Sequence, residues 1–219
     1  MELLFLKILT HPAVVWVLRS KVVTAILSRF VDWMQFNDDR RDTWPPYIFL
    51  ISYAATPTRL TRMSEHTTCM AKYLVHEYYP TSVVVGCEFR DNPKEAQEAE
   101  WKIESLGSNV KFICPGEASS TTDEEGILFA ATNKDINNSI VICNGAHIRR
   151  VRLVWNYYHP NSHLRFISTD MKLDDDSENP MLAQRFWQVW MIANLVGLIG
   201  YRLIGVERLA RKNLSQPVE

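Results

Sequence analysis

Five short apolar runs recur along this chain at intervals of roughly 25–35 residues, the spacing of a strand plus a helical crossover. They are "YIFLIS" (Tyr47–Ser52), "SVVVG" (Ser82–Gly86), "VKFIC" (Val110–Cys114), "SIVIC" (Ser139–Cys143) and "LRFIS" (Leu164–Ser168). A hairpin partner would follow within a few residues, whereas a parallel partner needs a dozen or more, usually a helix. Most of the runs are apolar at consecutive positions, the pattern of strands covered on both faces.

Helical stretches fill the intervals. Thr61–Tyr79 carries Met63, Thr67, Met70, Ala71 and Leu74 at three- and four-residue steps. Pro93–Leu106 opens on proline, has its acids early and stops at Gly107. Thr122–Asn133 starts on threonines and acids, and Ala146–Tyr158 follows the fourth run. The alternation predicts an α/β fold: a Rossmann-like, doubly wound, mainly parallel five-stranded sheet with helices on both faces and apolar helices at both ends of the chain.

The ends have a different texture. From Leu3 to Met34 apolar residues recur at helical steps, predicting one or two amphipathic helices, the first stopped at His11-Pro12. "NDDRRDTWPP" (Asn37–Pro46) is a charged, proline-ended linker. The C-terminal stretch Phe186–Tyr201 carries no formal charge, though Gln188 and Asn194 interrupt it, and reads as a core helix that is short for a bilayer span. Lys172–Pro180, "KLDDDSENP", reads as a solvated loop without calcium-loop spacing. The expected organisation is 1–46 for amphipathic helices and linker, 47–170 for the α/β domain, and 171–219 for an acidic loop and apolar helix that completes the domain or docks a partner.

With 47% hydrophobic and 22% charged residues the chain has the composition of a folded globular protein. A net charge of −1 and a pI near 6.6 lack the basic character of a nucleic-acid binder. Cys69, Cys87, Cys114 and Cys143 form no CxxC pair, so reduced thiols in a reducing compartment are expected, and no metal site. Glu2, the His11-Pro12 interruption and the lack of an A-x-A site argue against a secretory signal peptide.

In an open parallel sheet, ligands gather beyond the carboxyl ends of the strands, where helix N-termini also present unpaired N–H groups. The segments to inspect are therefore "YAATPT" (53–58), "CEFRDN" (87–92), "PGEASSTT" (115–122) and "NGAHIRR" (144–150). None is a strong motif: the chain has no Walker loop, no GxGxxG after the first run and no GxSxG elbow. Taken alone, His147 reads as a capping or packing residue, and Arg149, Arg150, Glu124 and Glu125 as solvated or dipole-serving charges.

Taken together, the loops resemble the YdcF/SanA/ElyC-like family, domain of unknown function 218. Its fourth-strand segment "vlVTsayHmpRa" is similar to "SIVICNGAHIRRV", which places His147 and Arg150 on the family histidine and arginine and Cys143 on its threonine. Its "e-x-S-x-N-T-x-E-N" stretch is similar to "EASSTTDEE", with Ser119, Thr122 and Glu124 in register, Thr121 replacing asparagine and Glu125 replacing the second. Glu95, in Lys94-Glu95-Ala96, stands at the family's "sEA", and Leu106-Gly107-Ser108 at its "lGv". The likeness covers about Tyr47 to Ser168. Two glycine-rich turns of the family are missing: Tyr53, Ala54 and Ala55 follow the first run, and "GCEF" leaves only Gly86 after the second. Side chains there narrow the crevice where a ligand's backbone contacts would form.

The resemblance implies a nucleotide-like or phosphorylated small-molecule ligand, S-adenosylmethionine among the candidates. Glu95, Ser119, Thr121, Thr122, Glu124, Asn144, His147 and Arg150 would line its site. Arg150 and the helix N-terminus at Thr121–Thr122 would hold anionic oxygens, and His147 is the candidate proton donor or acceptor, oriented by Glu124 or Glu95. No nucleophile, and so no reaction, follows from the sequence. The alternative is a non-catalytic interaction, assembly or membrane-peripheral protein with a degenerate pocket, whose terminal apolar helices meet a protein partner or a membrane surface. A crevice filled by Tyr53 or Phe89 would favour that second reading.

Overall fold

The computed structural model describes residues 2–38, 44–51, 53, 59–78, 82–85, 111–113, 136–173 and 175–208. The expected helices at Pro93–Leu106 and Thr122–Asn133 lie outside them. The class is mixed α/β, with a parallel sheet.

Four short helices open the chain: α1 (Glu2–Leu9), α2 (Pro12–Leu18), α3 (Lys21–Ser28) and α4 (Val31–Met34). The apolar rhythm through this region reads as one or two helices, and local caps cut it finer. His11 caps α2 through its ring, which accepts the Ala13 N–H, with Pro12 in the first turn. Ser20 caps α3 by accepting the Val23 N–H.

Strands β1 (Tyr47–Leu50), β2 (Ser82–Val85), β3 (Lys111–Ile113), β4 (Ile140–Asn144) and β5 (Arg165–Thr169) form one sheet in the order β3-β2-β1-β4-β5, every pair parallel. Alternation along the strands divides the core. Ile48, Leu50, Ile140 and Ile142 point to one face, against Ala71, Leu74 and Val75 of α5 (Arg62–Tyr78). Phe49, Val141 and Cys143 point to the other, against Val151, Val154 and Trp155 of α6 (Ile148–Tyr158). Trp155 packs its indole at 5.2 Å from the Phe49 ring. A strand buried on both sides has no solvent face for polar residues, which is why these segments read as unbroken apolar runs.

Helix α7 (Trp187–Ile204) lies along α6 and also meets α1 and α2. It is long and apolar enough, by length and composition, to cross a membrane. Its row Trp187, Met191, Asn194, Leu198 and Tyr201 is nonetheless buried inside the protein.

β5 ends the sheet, and such an edge offers unpaired backbone groups to any passing strand. The segment after α4 covers it. Asp38 N–H donates to the Phe166 carbonyl (2.9 Å), and the Asp38 Oδ2 accepts from the Phe166 N–H (2.8 Å). Asn37 Oδ1 accepts from the Ser168 N–H (2.7 Å), and the Ser168 hydroxyl donates to the Phe36 carbonyl. Arg152 of α6 holds the second Asp38 oxygen at 3.0 Å. Asp38→Ala is expected to cost about 1–2 kcal/mol in urea denaturation, because the Phe166 N–H loses its acceptor, with Asp38→Asn recovering most of that loss.

In the acidic stretch 172–180, Lys172, Leu173, Ser177, Glu178 and Pro180 are exposed as expected of a solvated loop, but Asp176 and Asn179 are buried. Asp176 is 5% exposed. Its carboxylate accepts both terminal nitrogens of Arg59 (2.9 and 2.8 Å) and the Arg62 N–H, which holds its pKa below the ordinary carboxylate range. A buried carboxylate is tolerated only when so paired. The partner lies 117 residues earlier in the chain, out of reach of any local pattern.

Candidate functional site

With this strand order, β1 and β4 are neighbours whose following connections leave toward opposite ends of the sheet. The crevice between their carboxyl ends is the switch point at which open parallel sheets hold ligands. Tyr53, just beyond β1, and Asn144–His147, at the end of β4, meet there.

The turn after β4 is built from its own residues. Asn144 Oδ1 accepts the Ala146 N–H (2.9 Å), and its carbonyl accepts the His147 N–H (2.9 Å), so the side chain starts the turn that launches α6. Gly145 fits because it has no Cβ. One built there would stand 2.7 Å from the Thr169 carbonyl oxygen and 2.9 Å from Gln35 Cβ. His147 occupies the N-cap of α6, yet its ring makes no capping hydrogen bond.

The ring is held sideways instead. Nδ1 lies 3.0 Å from the Tyr53 hydroxyl oxygen, and Nε2 lies 2.9 Å from Nη2 of Arg150, one helical turn further along α6. A guanidinium only donates, so Nε2 accepts and the ring proton resides on Nδ1, which donates to the Tyr53 oxygen. That oxygen also accepts the Asn144 N–H at 2.9 Å. His147 is 4% exposed and Tyr53 1%. Burial first, and the Arg150 charge second, push the imidazole pKa well below its ordinary value, so the ring is neutral.

α7 closes the site from outside. Trp190 stands edge-on to both rings, 5.6 Å from His147 and 6.4 Å from Tyr53. Gly197 makes room for Arg150: a Cβ there would lie 3.1 Å from the arginine Cδ and Nη1. Two surface grooves of about 350 Å³ occur elsewhere, one between α2 and residues 182–186 and one beside Asp32 and Asp170. His147 and Arg150 line neither of them. Among the described residues no group of three or more His, Cys, Asp or Glu side chains gathers to hold a metal ion.

No family model, curated protein or solved structure matches this chain.

Of the expected site residues, Asn144, His147 and Arg150 come together at the end of β4. Glu95, Ser119, Thr121, Thr122 and Glu124 lie outside the described residues. Sequence reasoning found Tyr53 as an intruder at a glycine position but missed Trp190 and Gly197, which look like ordinary members of an apolar helix. Gly197 carried a signal, shared with Gly200 in the same helix, since glycine weakens a helix interior and so can mark a close approach.

As chemistry, the cluster is a relay of filled valences. Both imidazole nitrogens are engaged by side chains of the protein, and a proton gained at Nε2 would face the Arg150 guanidinium.

Proposed function

We propose that this chain is a Rossmann-like, doubly wound domain of the YdcF type that serves as a non-catalytic interaction protein. Its own side chains fill the crevice that would otherwise take a nucleotide-like or phosphorylated ligand. The carrying observation is the Tyr53 hydroxyl, 3.0 Å from His147 Nδ1 and 2.9 Å from the Asn144 nitrogen, at the rim between β1 and β4. The strand order and the His147/Arg150 spacing support the family reading; the buried phenol supports the loss of the pocket.

A thermal-shift screen against nucleotides, S-adenosylmethionine and sugar phosphates is the test. The expected result is an unchanged melting temperature for the native chain with every compound. A saturable rise that His147→Ala abolishes would overturn the reading in favour of a ligand-binding protein.

A further inference from the structure

Helix α3 and the two capping residues after it carry apolar side chains on their outer face. The exposed positions are Lys21, Val22, Ala25 and Ile26 of the helix, then Arg29 and Phe30 beyond its end. Val22 is 70% exposed, Ile26 52% and Phe30 53%. Preceding it, α2 leaves Trp16 at 76% and Val17 at 48%. A helix facing water puts its charged and polar residues outward and its apolar stripe toward the core; this outer face mixes apolar side chains with cations.

The charge pattern is one-sided. From Leu3 to Val31 there is no aspartate or glutamate, while Lys7, Arg19, Lys21 and Arg29 are all present, in a chain whose overall net charge is −1. Beside α2 lies the groove of about 350 Å³ lined by Pro12, Val15, Trp16 and Phe186, with Arg19 and Arg185 at its wall. Arg19 sits over the Phe186 ring at 4.2 Å, an arrangement that leaves a cation on an apolar floor.

We infer that α2 and α3 dock this protein on an anionic phospholipid surface. Trp16, Val22, Ile26 and Phe30 enter the boundary between headgroups and acyl chains, and Arg19, Lys21 and Arg29 meet lipid phosphates. Exposed apolar side chains bordered by cations, with tryptophan among them, form the surface that suits a bilayer interface. Acid-free charge over this stretch complements a negatively charged leaflet and not a zwitterionic one. The inference names the partner for the interaction reading and rests on it, while its own observations lie in α2 and α3.

The test is co-sedimentation of the full chain with phosphatidylcholine vesicles, and with vesicles in which a third of the lipid is phosphatidylserine. Binding is expected to the acidic vesicles, to weaken as salt is raised, and to be much poorer on phosphatidylcholine alone. Lys21→Gln with Arg29→Gln removes two surface cations and should weaken partitioning roughly 25-fold, about fivefold for each. Trp16→Ser with Ile26→Ser should weaken it on both vesicle types. All four side chains are exposed or at helix surfaces, so melting temperatures should hold and separate lost docking from lost folding.

Three results would overturn the inference: no sedimentation with acidic vesicles, equal binding by the native and Lys21→Gln/Arg29→Gln chains, or a concentration-dependent dimer abolished by Ile26→Ser. Failure on vesicles with a blank ligand screen removes only the lipid partner. A saturable ligand shift in the native chain removes the interaction reading itself.

Discussion

Tyr53→Ala is expected to lower the free energy of unfolding by about 3–5 kcal/mol, the range for deleting a fully buried aromatic side chain. The ring is 1% exposed and packs against both His147 and Trp190. Truncation leaves a cavity at the end of the sheet and strips the buried Asn144 N–H of its acceptor. Tyr53→Phe separates the two contributions. It keeps the ring and removes only the oxygen, so its expected cost is about 1–3 kcal/mol, the range for a buried donor left unsatisfied. Urea denaturation of the three proteins measures both. If Tyr53→Phe is as stable as the native chain, the hydroxyl does not hold the turn after β4.

The second large effect is on pH dependence. An unfolded chain protonates its histidines below about 6.5, but His147 resists protonation in the folded state because the ring is buried and Nε2 already faces a guanidinium. Below that pH the unfolded state therefore binds more protons than the native one. The stability contributed by a lowered pKa is complete above about 6.5 and is lost as pH falls, at up to about 1.4 kcal/mol per unit, until the native value is reached. The loss is therefore expected across the acidic window that opens below about pH 6.5. His147→Gln cannot take up the proton and should flatten the curve over that window, though it starts from a lower stability at pH 7. Equal slopes for the two proteins would mean that another group carries the acid sensitivity.

Much of the fold could be read from local chemistry. Arg62–Tyr78 and Ile148–Tyr158 fall within two residues of the helices expected at Thr61–Tyr79 and Ala146–Tyr158, and β4 and β5 are each displaced by one residue from their apolar runs. Apolar continuity and helix-start chemistry are encoded within a dozen residues, so they survive without any knowledge of the rest of the chain. What escaped was long-range. Asp176 looks like one of three aspartates in a polar loop until Arg59 is brought against it. Trp190 looks like filler in an apolar helix until α7 is laid beside His147. At the site, the sequence identified Asn144, His147 and Arg150 as neighbours and Tyr53 as an obstruction. The pairing of each ring nitrogen depends on how α6 and α7 approach, and no spacing rule contains that.

The cover over β5 ties the fate of the N-terminal arm to the solubility of the whole chain. Asn37 and Asp38 satisfy backbone groups of Phe166 and Ser168 that would otherwise face outward in register, and the Phe36 carbonyl accepts from the Ser168 hydroxyl. Removing the arm, by truncation or by pulling it away, would uncover a ready template for cross-strand recruitment between molecules. Such a loss would show first as turbidity, before any drop in melting point.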